Sequence, residues 1–166
     1  VPSKPQGSPS STEAVTTLQD DVFARPYFQA QTIAVIKPDA VARKLLGTIL
    51  DKIEDERFDI LRAHMVQTAE RELWESFYSR QHGDKEYFPS LVEFMASGPS
   101  LVLLLRRPDA ISTWRRLMGP FKNPREPHTI RGEYMLDGAP PMKNLVHGSD
   151  GPESFLWEFQ CLEHIF

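Results

Sequence analysis

"SLVLLLRRPDAISTWRRLM", residues 100–118, sets a strand signal directly against a helix signal. Leu101 to Leu105 are apolar without a break, the pattern of a central strand buried on both faces. Pro108 then stands where a helix favours proline, in its first turn, and the residues after it read as a helix. Working upstream, Ser97-Gly98-Pro99 stops a helical stretch over 89–96, and another helical stretch covers 70–81. "FDILRAHMVQ", residues 58–67, alternates apolar and polar as a half-buried strand does. Val41, Leu45, Ile49 and Ile53 recur at helical spacing, and "TIAVI", residues 32–36, is a short β-branched strand ending at Lys37-Pro38-Asp39. Downstream, residues 119–129 hold three prolines and little periodicity, which reads as a long loop of the kind that is often functional. A strand is expected within 132–136, and a shorter one leading into His147. Asp150 is expected to cap a last helix carrying Phe155, Phe159 and Leu162. Strands and helices alternating at these lengths predict an α/β (α+β) sandwich with helices packed on one sheet.

Length fits one domain: 166 residues are enough to bury a real core. No apolar run approaches the roughly 18–20 residues that cross a bilayer. A single cysteine, Cys161, excludes an intrachain disulfide and points to an intracellular or organellar home. The net charge of −4 argues against a nucleic-acid binder. Between Arg106 and Arg131, however, seven bases (Arg106, Arg107, Arg115, Arg116, Lys122, Arg125, Arg131) stand against two acids, Asp109 and Glu126. That local excess fits an anionic ligand, although scattered surface arginines read the same way. Residues 1–30 are rich in Ser, Pro and Thr and cannot bury enough surface to fold alone, so they are expected to form an extended arm docked on a protein partner. Residues 31–166 form the folded domain. If Val1 is a processing site, a mitochondrial location is favoured, and otherwise the cytosol or a cilium.

Chemistry is most concentrated in "NLVHGSDGPES", residues 144–154. A neutral imidazole can attack phosphorus if another group fixes its tautomer and ring angle. His147 has the short polar side chains of Asn144 and Ser149 beside it, and Gly148 leaves room for approach. Glu158 lies on the apolar side of the last helix, where a carboxylate needs a partner, and His147 is a candidate. The other four histidines (His64, His82, His128, His164) read as structural. Phosphoryl transfer also needs fixed positive charge, which Lys37, Arg115 and Arg131 could supply, although each also reads as an ordinary solvated base. No GxxxxGK[ST] loop is present, which argues against a Walker-type NTPase. No His/Cys cluster has metal-ligand spacing, so any Mg²⁺ would arrive on phosphates.

Four stretches together resemble the nucleoside diphosphate kinase family over roughly residues 31–163. "NLVHGSDGPES" is similar to the active-site signature and "IKPDAVARKLLG" to the first strand-and-helix motif. "YFPSLVEFMASGP" is similar to the nucleotide-lid segment and "TIRGEY" to the second arginine motif. The resemblance implies a ferredoxin-like βαββαβ core and a ping-pong transfer from a nucleoside triphosphate to a histidine and on to a nucleoside diphosphate. It implies that His147 is the phosphorylated nucleophile and that Glu158 and Ser149 orient the ring and the incoming phosphate. Lys37, Tyr78, Arg115 and Arg131 would bind phosphate, Asn144 would meet the sugar hydroxyls, and Mg²⁺ would be held through the phosphates. Tyr87 stands where the family usually has a base-stacking phenylalanine, and Arg43 and Asp150 match a structural ion pair.

The sequence also departs from the family pattern. The family's phosphate-touching threonine is replaced by Phe121 or Lys122, and the surrounding loop, which packs at trimer interfaces in the family, is shorter. Extra residues precede Asn144. "KPDA", "LVEFMASGP" and "DAISTWRRLMGP" are similar to a divergent branch found in mitochondria and cilia, several members of which are poor enzymes. Two expectations follow: a working kinase that assembles as a homo-oligomer, or a kinase-like structural subunit whose arm docks on a larger assembly.

Overall fold

The computed structural model describes residues 30–67, 70–122 and 125–166. All but Ala30 of the expected arm, and with it the expected docking on a partner, lie outside the described residues. Four strands form one sheet in the order β2-β3-β1-β4: β1 (Gln31–Ile36), β2 (Asp59–Val66), β3 (Ser100–Arg106) and β4 (Val146–Gly148). Every neighbouring pair is antiparallel. Helices α1 (Pro38–Ala42) and α2 (Leu46–Asp55) follow β1, and α3 (Arg71–His82) and α4 (Phe88–Ala96) follow β2. Helices α5 (Ala110–Met118) and α6 (Ile130–Tyr134) lie between β3 and β4, and α7 (Pro152–Leu162) closes the fold. This is the expected ferredoxin-like sandwich, an antiparallel sheet covered by helices.

The sheet is buried on both faces because β1 and β3 are apolar on both. Successive side chains of a strand point to opposite sides, so Ile33 and Val35 join one core while Ala34 and Ile36 join the other. The Ile33 and Val35 core is closed by Trp74, Phe77 and Tyr78 of α3, Val92 of α4 and Phe155 of α7; the Ala34 and Ile36 core by Ile49 and Ile53 of α2 and by Trp114 of α5. Helix α5 buries Ala110, Thr113, Trp114, Leu117 and Met118, the spacing of an amphipathic stripe. Arg115 is thereby left on the solvent side, at the rim of the site. β2 is an outer strand: only Val66 is buried, and a register shift interrupts its pairing between Ile60 and Arg62.

Several expectations need correction. Residues 130–134 form a helix, where a strand was expected within 132–136, because Thr129 caps it by accepting from the Gly132 amide at 2.9 Å. The helical pattern after β1 is two helices, broken where Lys44 takes φ 61°. Gly151 occupies the cap position of α7, and Asp150 is engaged elsewhere. Among the described residues no helix is long and apolar enough to cross a membrane.

Candidate active site

β4 is short, but its register fixes the centre of the site. His147 stands opposite Val35 of β1, between buried Val146 and Gly148. Gly148 is required by packing: a Cβ there would lie 2.3 Å from the Trp114 ring. That ring in turn donates from Nε1 to the His147 carbonyl at 3.0 Å. The imidazole is oriented from α7, where buried Glu158 holds His147 Nε2 at 2.8 Å through Oε1. The second Glu158 oxygen accepts from Ser149 Oγ at 2.6 Å, and Ser149 Oγ accepts from the Ile33 amide at 3.2 Å. A carboxylate on Nε2 favours the proton there and leaves the Nδ1 lone pair free. Ser149 is completely buried behind this pair, so its hydroxyl orients the carboxylate and does not face the open cleft.

The cationic floor is set by β1 and the turn before β4. Lys37 Nζ donates to Asn144 Oδ1 at 2.9 Å and to the Met142 carbonyl at 3.2 Å. Arg131, delivered by α6, donates to the carbonyls of Gly119 (2.8 Å), Val146 (2.8 Å) and Asn144 (3.1 Å), and to Asn144 Oδ1 (3.4 Å). Of five guanidinium N–H groups, those bonds occupy four. Burial first, and neighbouring Arg131 second, bring the Lys37 ammonium down to about 7, with Asp39 opposing. Burial likewise brings Arg131 to about 10, with Arg115 adding to the shift, so it is charged at neutral pH. Leu145, fully buried, takes φ 73°, a strained region for a branched side chain. It is held there by Asp39 Oδ2 on its amide (3.1 Å) and by the Lys37 amide on its carbonyl (2.9 Å). Next to it, Asn144 presents Oδ1 to both cations.

A cleft of about 560 Å³ lies over this floor. Lys37, Tyr78, Tyr87, Arg115, Arg131, Asn144 and His147 all line it. Seven of the nine residues singled out from sequence are therefore gathered in one place, and Glu158 and Ser149 sit directly beneath. Tyr78 is almost wholly buried, with its ring centroid 5.4 Å from that of His147; burial and the Glu158 carboxylate hold its phenol well above the usual range. Phe121 and Lys122, the alternatives for the family threonine, both line the cleft, with the Lys122 ammonium 5.6 Å from the Phe121 ring centroid. Arg115 is ion-paired with Asp150. Arg43 donates to the Tyr134 carbonyl at 2.6 Å. The expected Arg43–Asp150 pair is thus replaced by two separate contacts.

His82, read as structural, lines the cleft and bonds Tyr87 through Nδ1 at 2.8 Å. Its position at the last turn of α3, five residues before Tyr87, was the available signal. Gln81, Met118, Pro141 and Met142 also line the cleft, and nothing in their residue types announces it. Among the described residues no group of three or more His, Cys, Asp or Glu side chains is arranged to hold a metal ion.

A family model described as "Nucleoside diphosphate kinase" matches residues 30–162. The chain belongs to the nucleoside diphosphate kinase family. It is similar to a "Nucleoside diphosphate kinase" of Streptococcus thermophilus (strain CNRZ 1066), 44% identical over 128 residues, covering 75% of this chain and 90% of that one. The protein of the same name from Staphylothermus marinus is 42% identical over 134 residues, covering 80% and 91%. Among solved structures, the apo nucleoside diphosphate kinase from Encephalitozoon cuniculi superposes with a TM-score of 0.72 at 32% identity, covering 80% of this chain and 87% of that one. The Aquifex aeolicus nucleoside diphosphate kinase gives 0.71 at 34%, covering 80% and 94%. As a nucleoside diphosphate kinase family member, this chain has the resemblance read from its four motifs, and the same span carries the cleft.

Proposed function

We propose that the chain is a nucleoside diphosphate kinase that moves the γ-phosphate of a nucleoside triphosphate to a nucleoside diphosphate through phosphorylated His147. The observation that carries this reading is the single cleft in which a carboxylate-clamped imidazole faces Lys37, Arg115 and Arg131. Glu158 keeps the proton on Nε2, so the Nδ1 lone pair attacks the γ-phosphorus. The N–P bond forms as the bond from phosphorus to the β–γ bridging oxygen breaks, and the nucleoside diphosphate leaves with that electron pair. Glu158 stabilises the positive charge that the ring gains on phosphorylation. In the second half, a terminal oxygen of another nucleoside diphosphate attacks the same phosphorus and the N–P bond breaks back to Nδ1.

The cations supply what phosphoryl transfer needs, since charge spreads over the non-bridging oxygens in its transition state. Asn144, held between Lys37 and Arg131, offers its amide to the sugar hydroxyls, and Tyr87 offers a ring face to the base. Stacking is tolerant of base identity because every base has a π-face. The only carboxylate among the described lining residues is Asp150, which fits a Mg²⁺ that would be held by the phosphates and would neutralise part of their charge. Incubation with γ-labelled ATP and Mg²⁺ is expected to give acid-labile, base-stable label on the protein, absent in His147→Ala. An unlabelled wild-type chain would end this reading.

A further inference from the structure

Tyr87 opens α4 at the mouth of the cleft and is half exposed. An exposed aromatic side chain at a helix start is ordinarily free to change rotamer, and ordering it on binding lowers affinity. Here it is not left free. His82, the last residue of α3, spans the turn between the two helices and meets the Tyr87 hydroxyl through Nδ1 at 2.8 Å. The His82 ring is itself held between two aromatic rings, 5.8 Å from Tyr78 and 5.7 Å from Tyr87. Tyr78 is core, and α3 is tied to α7 by Gln81 Nε2 donating to Ser154 Oγ at 2.7 Å. A row of rings thus runs from His147 through Tyr78 and His82 to Tyr87 at the rim.

We propose that His82 is the positioning residue of the base-binding wall, holding the Tyr87 ring through the Nδ1–Oη hydrogen bond as a preset stacking surface. The inference rests on the nucleotide reading above and adds to it a residue that touches the base only through Tyr87. Partial burial, and then nearby His147, hold His82 below its ordinary range. It is therefore neutral at pH 7, with one nitrogen as donor and the other as acceptor. A tyrosine hydroxyl satisfies either role, so the clasp survives in both tautomers. The hydroxyl on Tyr87, which a phenylalanine lacks, is the group that makes it possible.

The test compares a ligand that has a base with one that has none. ADP and inorganic tripolyphosphate are titrated into the wild-type chain, His82→Ala, Tyr87→Phe and the double variant. Losing a preset ring and one neutral hydrogen bond is expected to weaken ADP about two- to tenfold in each single variant. The double variant should lose no more than either single one, because both remove the same bond. Tripolyphosphate affinity should not move. His82→Asn, whose amide reaches the place of Nδ1, should recover most of the ADP affinity. Unchanged ADP binding in His82→Ala, an additive double variant, or equal losses for both ligands would overturn the proposal. The labelling of His147 remains as the separate check on the nucleotide reading: a wild-type chain that takes label while His82→Ala binds ADP normally would sink this inference alone.

Discussion

Lys37 is the residue whose chemistry is most changed by its surroundings. With the ammonium brought to about 7 by burial and by Arg131, it is largely neutral at pH 8.5 in the free protein. A polyphosphate beside it favours the charged form, so binding must draw a proton from solvent. ADP affinity is therefore expected to fall as pH rises from 7 to 9. Calorimetry in buffers of different ionisation enthalpy should show proton uptake that Lys37→Met abolishes; the same uptake in both would assign it elsewhere. The effect on folding has a definite sign. The unfolded chain holds that proton up to about 10.5, so between about 7 and 10.5 it binds more protons than the folded one. This group alone makes stability rise with pH across that window. The candidates His147, Lys37 and Arg131 were legible because motif order and residue type suffice to mark them. The partners of Asp150, Arg43 and His82 were not, because a side chain chooses among groups that only the folded chain brings near.

Among the elements, α6 has five residues and no intrinsic claim to helicity. Its cap decides it: Thr129 accepts from the Gly132 amide and donates to the Glu126 carbonyl at 2.7 Å. Thr129→Ala is expected to cost about 1 kcal/mol in a denaturant titration and to weaken ADP binding, since α6 delivers Arg131. Thr129→Ser should restore both, and a stable, tight-binding Thr129→Ala would show that α6 does not need its cap. The contact between β4 and α5 is tighter still. Gly148→Ala forces a methyl into the Trp114 ring and is expected to destabilise by ~1–3 kcal/mol; a melt unchanged from wild type would contradict that packing. The continuous apolar run of β3 made the central strand readable. The strand expected within 132–136 was not found, because the capping threonine lies outside that window and starts a helix instead.

For the whole molecule, the two cores meet at β1 and β3, while β2 and the turns around the cleft carry little buried apolar surface. Hydrogen exchange should separate them: amides of β1 and β3 are expected to exchange slowest, and those of residues 83–87 and 136–144 much faster. Added ADP should slow the second group and leave β2 unaffected. Uniform protection everywhere would argue against a local nucleotide site. The sandwich of helices on one sheet was legible from alternating segments and its ferredoxin-like arrangement from the family resemblance, whereas the exposure of β2 was not, since its apolar alternation also fits a covered strand.

The bonds that assemble the cleft join very distant parts of the chain: Lys37 to Asn144 across 107 positions, and Ile33 to Ser149 across 116. During synthesis, a chain extruded through β4 already carries the cleft's cations, its aromatic walls and His147, yet has no clamp for the imidazole. A nascent chain stopped short of Glu158 leaves that imidazole unclamped, and the site is completed only as α7 emerges and docks.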